Sequence, residues 1–207
     1  MGSLSPRTAD EQVVVPFPVS RDLVIPPRNI RSTLLVASLQ SLRERGRFDE
    51  YVRLLEPGWR NVPDLAIPGV WLPVDAGLAH YQACEALCFT VAEQLEMGRA
   101  VGDRVHGTFL GTMIRGAKNV GMTPWVALAQ ARRLYERLFD GGAVTVTRVG
   151  PKDARMEMVR NSLVEIPYFR NAMRGLWQVA VGFFCTRAYV TETGRGEDSY
   201  QARIAWV

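Results

Sequence analysis

The sequence predicts a single α+β domain, in which an N-terminal helical bundle packs with a C-terminal ββαββ unit. Two observations carry this prediction. Apolar residues recur every three to four positions until about residue 140, and the last third alternates with a period of two on either side of one more helix. At 207 residues and 47% hydrophobic content, the chain is long enough for one well-buried core. We therefore expect a four-stranded antiparallel sheet that carries one long helix.

A proline-rich arm precedes this domain. Residues 1–12 predict a disordered lead-in without a secretory signal, and the prolines of residues 13–28 forbid a helix and allow at most a short edge strand. We divide the chain into an extended arm (1–28) and one domain (29–207), with a helical part (29–140) and a ββαββ part (143–207).

Glycine and proline mark the ends of the predicted helices. The helices are expected from a cap at Asn29 or Ser32 to Gly46, from Phe48 to Leu55, from Val74 to a break at Gly98, from Arg99 to Asn119, and from Trp125 to Phe139. The last has the clearest ends, because Thr123-Pro124 is a typical start and Gly141-Gly142 a typical stop.

Two segments of the helical part are unusual. The connector from Trp59 to Trp71 is long and punctuated by proline, so it is a candidate lid or partner surface. The helix predicted at 99–119 carries several glycines, each costing about 1 kcal/mol relative to alanine. Close helix packing, a bend, or a ligand pressed against the backbone would each explain them. These glycines are Gly102, Gly107, Gly111 and Gly116.

The last third predicts two β-hairpins joined by a helix. Val144 and Val146 alternate with threonines before a turn at residues 149–153, and Met156 and Met158 alternate with charged residues after it. The later elements are a helix that Pro167 opens and whose apolar stripe reaches Phe184, a strand from Thr186 to Thr193, and a strand from Ser199 to Val207.

Composition excludes several classes of protein. No apolar run approaches the roughly 20 residues that cross a bilayer. The net charge is +4, but only Lys118 and Lys152 are lysines and the arginines alternate with acidic residues, so nucleic-acid binding is not expected. Three cysteines cannot form a closed set of disulfides, which indicates a reducing cytoplasm.

The sequence contains no strong catalytic motif. It has no glycine-rich phosphate loop, no nucleophile elbow and no closely spaced set of metal ligands, so the chain is not expected to be an enzyme. An enzyme would need a titratable pair in a cleft. The candidates for such a pair are His80 or His106 with Asp75, Glu85 or Asp103.

His80, Cys84 and Cys88 superficially resemble a stripe of soft-metal ligands, since they recur every four residues on one predicted helix. At about 1.5 Å per residue they span about 12 Å, which is too far for one ion, so no metal is expected. Cys84 and Cys88 are expected in the core, and His80 partly buried with a hydrogen bond to backbone or to a ligand. His106 could in principle bind a heme iron, although single histidines on helices are more often structural.

Five segments together resemble an uncharacterised family of similar length found mainly in myxobacteria. The resemblance covers most of residues 30–207, and Val149–Arg155 is its most specific piece. The segments are Val101-Gly-Asp-Arg-Val-His-Gly-Thr-Phe-Leu-Gly-Thr112, Thr123-Pro-Trp125, Arg148-Val-Gly-Pro-Lys-Asp-Ala-Arg155, Ile166-Pro-Tyr-Phe-Arg170 and Arg203-Ile-Ala-Trp206.

The order of elements in that family is similar to the ligand-binding fold of 4-vinyl reductase domains, heme nitric-oxide-binding domains and small subunits of a Golgi tethering complex. In the heme-binding relatives the iron ligand lies on the helix before the first hairpin, but Trp125 to Phe139 contains no histidine. The Tyr-x-Ser-x-Arg signature for heme propionates is missing, because Tyr168 and Arg170 are too close together to replace it. The cysteine-rich zinc loop of the phenol-sensing relatives is also absent, so no cofactor is expected.

These observations predict a non-enzymatic sensory or adaptor module, active in signalling, that binds a small apolar ligand between helices and sheet. The alternative is a protein-protein interaction or scaffold subunit, a homodimer without ligand, that docks through the connector. Neither hypothesis involves a membrane. The candidate ligand-binding residues are His80, Tyr81, Cys84, His106 and Trp125.

Overall fold

The computed structural model describes residues 11–117 and 123–207, and the side chains of residues 11–104 and 123–207. The helices are α1 (Ser32–Glu44), α2 (Phe48–Leu54), α3 (Val62–Leu65), α4 (Val74–Ala86), α5 (Val91–Ala117), α6 (Pro124–Ala129), α7 (Ala131–Leu138) and α8 (Pro167–Gly182). The strands are β1 (Gln12–Val15), β2 (Asn29–Arg31), β3 (Trp71–Pro73), β4 (Ala143–Gly150), β5 (Asp153–Val159), β6 (Ala188–Gly196) and β7 (Ser199–Trp206). None of the described helices is long and apolar enough to cross a membrane.

The predicted α+β class and the ββαββ order are confirmed. The hairpins β4–β5 and β6–β7 are joined by α8, and their strands form an antiparallel sheet in the order β1-β4-β5-β7-β6. The sheet has five strands and not the predicted four, because β1 of the arm pairs with β4 along the edge. Residues 12–15 precede the first proline of this segment, Pro16, so their backbone groups are free to pair. Most of the predicted disordered lead-in lies outside the described residues.

Each face of the sheet has a different environment. Val146, Met156 and Ala202 are cross-strand neighbours on the inner face and are fully buried against the helices. Thr145, Glu157 and Gln201 form a row on the opposite face, which the helices leave uncovered. This alternation of buried apolar and polar residues is typical of an antiparallel sheet with one solvated face.

Helices α5 and α8 approach each other so closely that two glycines are required at their contact. A Cβ atom at Gly98 would lie 1.9 Å from the backbone oxygen of Ala172, and one at Gly175 would lie 2.1 Å from the backbone oxygen of Leu95. At Gly102 the contact is looser, 3.1 Å to Val179 Cβ. The close-packing interpretation is confirmed for Gly102. The surroundings of Gly107, Gly111 and Gly116 lie outside the residues whose side chains the structure describes.

The predicted helix break at Gly98 is wrong. Gly98 lies inside α5, and the break occurs at residues 87–90, where Cys88 has a φ of 54°. Cys88 is therefore exposed in a turn, and the prediction that it belongs to the core is also wrong. The signal that was missed is a capping box: the Thr90 backbone N–H donates to Glu93 Oε2 (2.7 Å) and the Glu93 N–H donates to Thr90 Oγ1 (3.3 Å).

Replacing Thr90 by alanine is expected to lower the free energy of unfolding by about 1 kcal/mol, because α5 loses the side chain that accepts from its first turn. Urea denaturation followed by circular dichroism measures the change. Glu93→Gln is the control, since a glutamine at this position still accepts from the Thr90 N–H. Equal stabilities of Thr90→Ala and the unchanged protein would contradict a role for the box.

The helix predicted from Trp125 to Phe139 is divided in two. Helices α6 and α7 meet at Gln130, which has φ −93° and ψ 3°, and neither glycine nor proline marks this joint in the sequence. After α7, Asp140 Oδ1 accepts from the backbone N–H groups of Arg28 and Asn29, each at 2.8 Å. Asn29 therefore joins the end of the arm to the end of α7 and does not cap α1.

The connector contains short regular elements and is tied to α1. A 3-10 helix (Pro57–Trp59), α3 and β3 divide it, and β3 pairs with β2. The Ser32 hydroxyl donates to Ile67 O (2.5 Å) and accepts from the Val70 N–H (3.0 Å). Trp59 packs against the core, whereas Trp71 is 40% exposed.

Candidate functional site

His80 on α4 is fully buried and links three helices. Its Nδ1 lies 2.9 Å from the hydroxyl oxygen of Tyr51 on α2, and its Nε2 lies 3.0 Å from Oγ of Ser38 on α1. A neutral imidazole has one N–H and one lone pair, so one hydroxyl donates to the ring and the other accepts from it. Both ring nitrogens are therefore satisfied by side chains, and neither is left over for a metal ion.

The ionisable groups around His80 are held in their neutral forms. Burial lowers the pKa of His80 to about 3 and raises the pKa of the Cys84 thiol to about 12, because neither charged form is hydrated there. Cys84 Sγ lies 3.7 Å from His80 Nε2. A nucleophilic Cys-His pair needs a thiolate, which this environment disfavours.

Tyr81 lines a small cavity between α1, α4, α5 and α8. Its ring meets Phe169 edge to face, with the ring centroids 4.9 Å apart. The cavity has a volume of about 20 Å³, and Ser38 and Tyr168 also line it. The buried Tyr168 hydroxyl lies near Ser38 and Cys84 without a well-formed hydrogen bond to any described residue. A cavity of this size holds about one water molecule, and a larger ligand would have to displace side chains.

Trp125 lies in a different part of the molecule. Its indole N–H donates to Pro151 O (3.1 Å), its ring centroid is 4.9 Å from that of Trp206, and the Arg148 guanidinium lies 4.2 Å above its ring. These partners belong to the β4–β5 hairpin and to β7, whereas the hydrogen-bond partners of His80 lie on α1, α2 and α4. Trp125 therefore anchors α6 to the sheet.

Of the five predicted ligand-binding residues, the structure brings three together. His80, Tyr81 and Cys84 form one buried cluster, and Trp125 is separate from it. His106 lies on α5, and its side chain is outside the described residues.

Heme does not fit the residues that the structure describes. The helix before the first hairpin, α7, directs Ala131, Tyr135 and Leu138 into the core, and the Tyr135 hydroxyl accepts a hydrogen bond from Asn161 Nδ2 at 3.0 Å. The cavity beside Tyr81, at about 20 Å³, is far below the several hundred Å³ of an ordinary cofactor site. Among the described side chains, no group of three or more His, Cys, Asp or Glu could hold a metal ion.

A much larger cavity lies on the outer face of the sheet, where the arm crosses it. We call it the sheet-face groove, and its volume is about 740 Å³. The strands contribute mostly polar and charged side chains, and the arm contributes mostly apolar ones. The residues that line it are Val13, Pro16, Phe17 and Arg21 of the arm, with Thr145, Thr147, Val149, Arg155, Glu157, Thr193, Gln201 and Arg203 of the sheet.

Two ion pairs hold the arm over this groove. Arg155 donates from Nη1 and Nη2 to the two carboxylate oxygens of Glu11, at 3.0 and 2.6 Å. Arg21 donates to Glu157 at 2.7 Å. The sequence places Arg155 and Glu157 on the solvent face by their alternation, but nothing in it shows that the arm returns to this face. The groove was therefore missed.

Comparison with known proteins identifies the fold. No known family profile matches the chain, and no curated protein matches it significantly. Solved H-NOX structures do match, each over 86% of this chain. They include an Fe(II) unliganded H-NOX protein mutant from K. algicida (TM-score 0.59, 12% identity, 97% of that chain) and a mutant of T. tengcongensis H-NOX (0.56, 19%, 97%). A third is an oxygen-binding H-NOX domain related to soluble guanylate cyclases (0.54, 18%, 95%). The chain therefore has the heme nitric-oxide-binding fold.

Proposed function

We propose that this chain is a non-enzymatic ligand-binding module, of a sensory or adaptor kind, that works without heme. The fold supports a sensory role, since one structural neighbour is an oxygen-binding domain related to soluble guanylate cyclases. The observation that carries the proposal is the contrast between two cavities that described residues line, the sheet-face groove and the cavity beside Tyr81. The sheet-face groove, at about 740 Å³, is in the size range of small-molecule sites, whereas the cavity beside Tyr81 is about 20 Å³.

We place the ligand in the sheet-face groove, and not between the helices and the sheet as the sequence predicts. A small apolar ligand between helices and sheet, beside Tyr81 and His80, would need side chains of α1, α5 and α8 to move apart, since the cavity there admits about one water. The groove needs no such movement. It also combines apolar residues of the arm with a few polar groups that could orient a ligand, as is usual in binding sites.

A fragment screen by NMR on the ¹⁵N-labelled protein tests the location. We expect bound fragments to shift the amide signals of Thr147, Arg155 and Gln201. Gln201→Trp should abolish these shifts by filling the groove, and Gln40→Trp, on the exposed face of α1, should preserve them. Shifts confined to Tyr81 and Tyr168, or binding that survives Gln201→Trp, would place the ligand elsewhere and refute the proposal.

Titration of the purified protein with hemin is expected to give no saturable, stoichiometric shift of the Soret band. The physical reason is that α7 offers no histidine and that the described cavity beside Tyr81, at about 20 Å³, is far smaller than a cofactor site. Absorption spectroscopy of the protein as isolated and after hemin addition measures this. A one-to-one complex that His106→Ala abolishes would show a heme site on α5 and would contradict the proposal.

A second candidate function is protein-protein interaction through the connector, which the exposed apolar side chains there favour. Leu65, Ile67, Val70 and Trp71 are between 38% and 61% exposed. This function predicts a homodimer whose mass, measured by light scattering, falls on dilution. Ile67→Lys should then favour the monomer, and Val91→Lys, at an exposed position of α5, should not.

Three narrower statements accompany the proposal. The segment Val149–Arg155 supports membership of the myxobacterial family described above. The free cysteines Cys84, Cys88 and Cys185 support a reducing, cytoplasmic location. We also propose that the chain divides into an arm (1–28), a helical part (29–140) and a ββαββ part (143–207) of one domain. Limited proteolysis that releases the arm alone would support this division.

A further inference from the structure

The contact between Glu11 and Arg155 has the geometry of ligand recognition. Both carboxylate oxygens of Glu11 accept from the two terminal nitrogens of Arg155, the bidentate arrangement in which arginine binds carboxylates most specifically. The Glu11 side chain is only 6% exposed there, and that of Arg155 is 29% exposed. The carboxylate of Glu11 is thus shielded from water and bound to Arg155, one of the residues that line the groove.

The charges around this contact favour an anion beside Arg155. Arg155 on β5 stands directly opposite Arg203 on β7, and like charges at such positions repel each other. Glu11 compensates Arg155, and Asp153 compensates Arg203 through bonds of 2.5 to 3.0 Å. If Glu11 left without a replacement, Arg155 would face Arg203 without a counter-charge of its own. Another carboxylate is therefore the natural substitute.

We propose that Arg155 binds the carboxylate of a small, partly apolar acid, and that Glu11 of the arm occupies this position as an internal competitor. This inference rests on the proposed function, in which the sheet-face groove is the ligand site. It adds the chemical class of the ligand and the residue that recognises it. It also names the side chain that the ligand displaces, which is Glu11.

The lining of the groove agrees with an acid that has an apolar body. Val13, Pro16, Phe17 and Val149 are apolar, and they line the same cavity as Arg155. Thr147, the cross-strand neighbour of both Val13 and Arg155, offers a hydroxyl between the apolar and the charged part. An acid whose carboxylate lay at the Glu11 position could therefore bury its hydrocarbon part beneath the arm.

The arm can release Arg155 without losing its strand. Glu11 precedes β1, whose pairing with β4 begins at Gln12, so the side chain of Glu11 can leave while the backbone ladder stays. The second ion pair, between Arg21 and Glu157, is also independent of Glu11. Displacement thus requires the exchange of one carboxylate for another and not the unfolding of the arm.

The test compares hexanoate with hexanamide, which differ only in the charged group, by NMR titration of the full chain. We expect hexanoate, and not hexanamide, to shift the amide signals of Thr147 and Arg155 saturably. Glu11→Gln should raise the affinity for hexanoate roughly fivefold, because it removes the competing partner of a partly exposed ion pair. Arg155→Gln should abolish binding. Glu56→Gln and Arg53→Gln, at exposed positions of the helical part, are the matched controls and should change nothing.

The outcomes separate this inference from the proposed function. Equal binding of hexanoate and hexanamide in the groove, or hexanoate binding that Glu11→Gln and Arg155→Gln leave unchanged, would overturn the carboxylate site and leave the groove as a ligand site. If hexanoate fails to bind Glu11→Gln and the fragment screen also finds nothing in the groove, both proposals fall. Thermal melting of each variant shows whether it is folded, so lost binding is interpreted only for folded protein.

Discussion

Replacing Gly175 by alanine is expected to lower the free energy of unfolding by about 3 kcal/mol or more, the upper range for overpacking a core. The added methyl carbon would lie 2.1 Å from the backbone oxygen of Leu95 and 2.9 Å from the backbone nitrogen of Arg99. Backbone atoms inside a helix cannot rotate away as a side chain can. Helices α5 and α8 would have to separate, and the buried residues between them would lose contacts.

Gly182→Ala is the matched control, because it makes the same substitution at the last residue of the same helix. No atom lies within 4 Å of the position that its Cβ would take, so the effect there should be neutral or slightly stabilising. Urea denaturation of both variants measures the difference. If Gly175→Ala were as stable as Gly182→Ala, the two helices could not be as close as the structure places them.

Lowering the pH from 7 to 5 is expected to cost about 2 kcal/mol of stability through His80 alone. The pKa of His80 is lowered to about 3 in the folded protein from 6.5. Between pH 7 and 5, His80 therefore binds a proton in the unfolded chain but stays neutral in the folded chain. Stability is complete above the unfolded pKa and is lost progressively as the pH falls toward the folded one.

His80→Gln tests the assignment, since a glutamine amide can donate and accept as the neutral imidazole does but does not titrate. The variant should be less stable than the unchanged protein at pH 7 and much less sensitive to pH between 7 and 5. Urea denaturation at several pH values gives both quantities. The carboxylates with lowered pKa values, such as Asp140, matter mainly below this window. A pH dependence that persists in His80→Gln would assign it to another group.

Local patterns predicted the ββαββ unit because each of its elements is specified by its own residues. The alternation around Val144 and Met156 set the strands and their buried face, and Pro167 set the start of α8. The break between α4 and α5 was misplaced because a packing glycine, Gly98, was interpreted as a helix end. The glycine gives the stronger signal in the sequence, yet the capping box at Thr90 determines the boundary.

The candidate site could not be predicted in the same way, because it depends on contacts between distant residues. Glu11 and Arg155 are separated by 144 positions, and no periodicity relates them. His80 was predicted to be partly buried and bonded to backbone or to a ligand. It is instead fully buried, and its partners Tyr51 and Ser38 are side chains on other helices, which only the fold shows. An isolated sequence therefore shows which helical positions carry polar side chains. It does not show whether those side chains already have hydrogen-bond partners in the folded protein.

Strand β1 also determines how the molecule behaves toward its own copies. It pairs with Val146, Thr147 and Arg148 in the middle of β4, whose outward backbone groups would otherwise be unpaired. Unpaired edges of this kind invite strand addition by another chain. A chain shortened beyond Val15 would thus present a new edge for pairing, and aggregation could then be mistaken for specific association. Any study that removes the arm to open the groove must keep residues 12–15, because these four residues form the strand that pairs with β4.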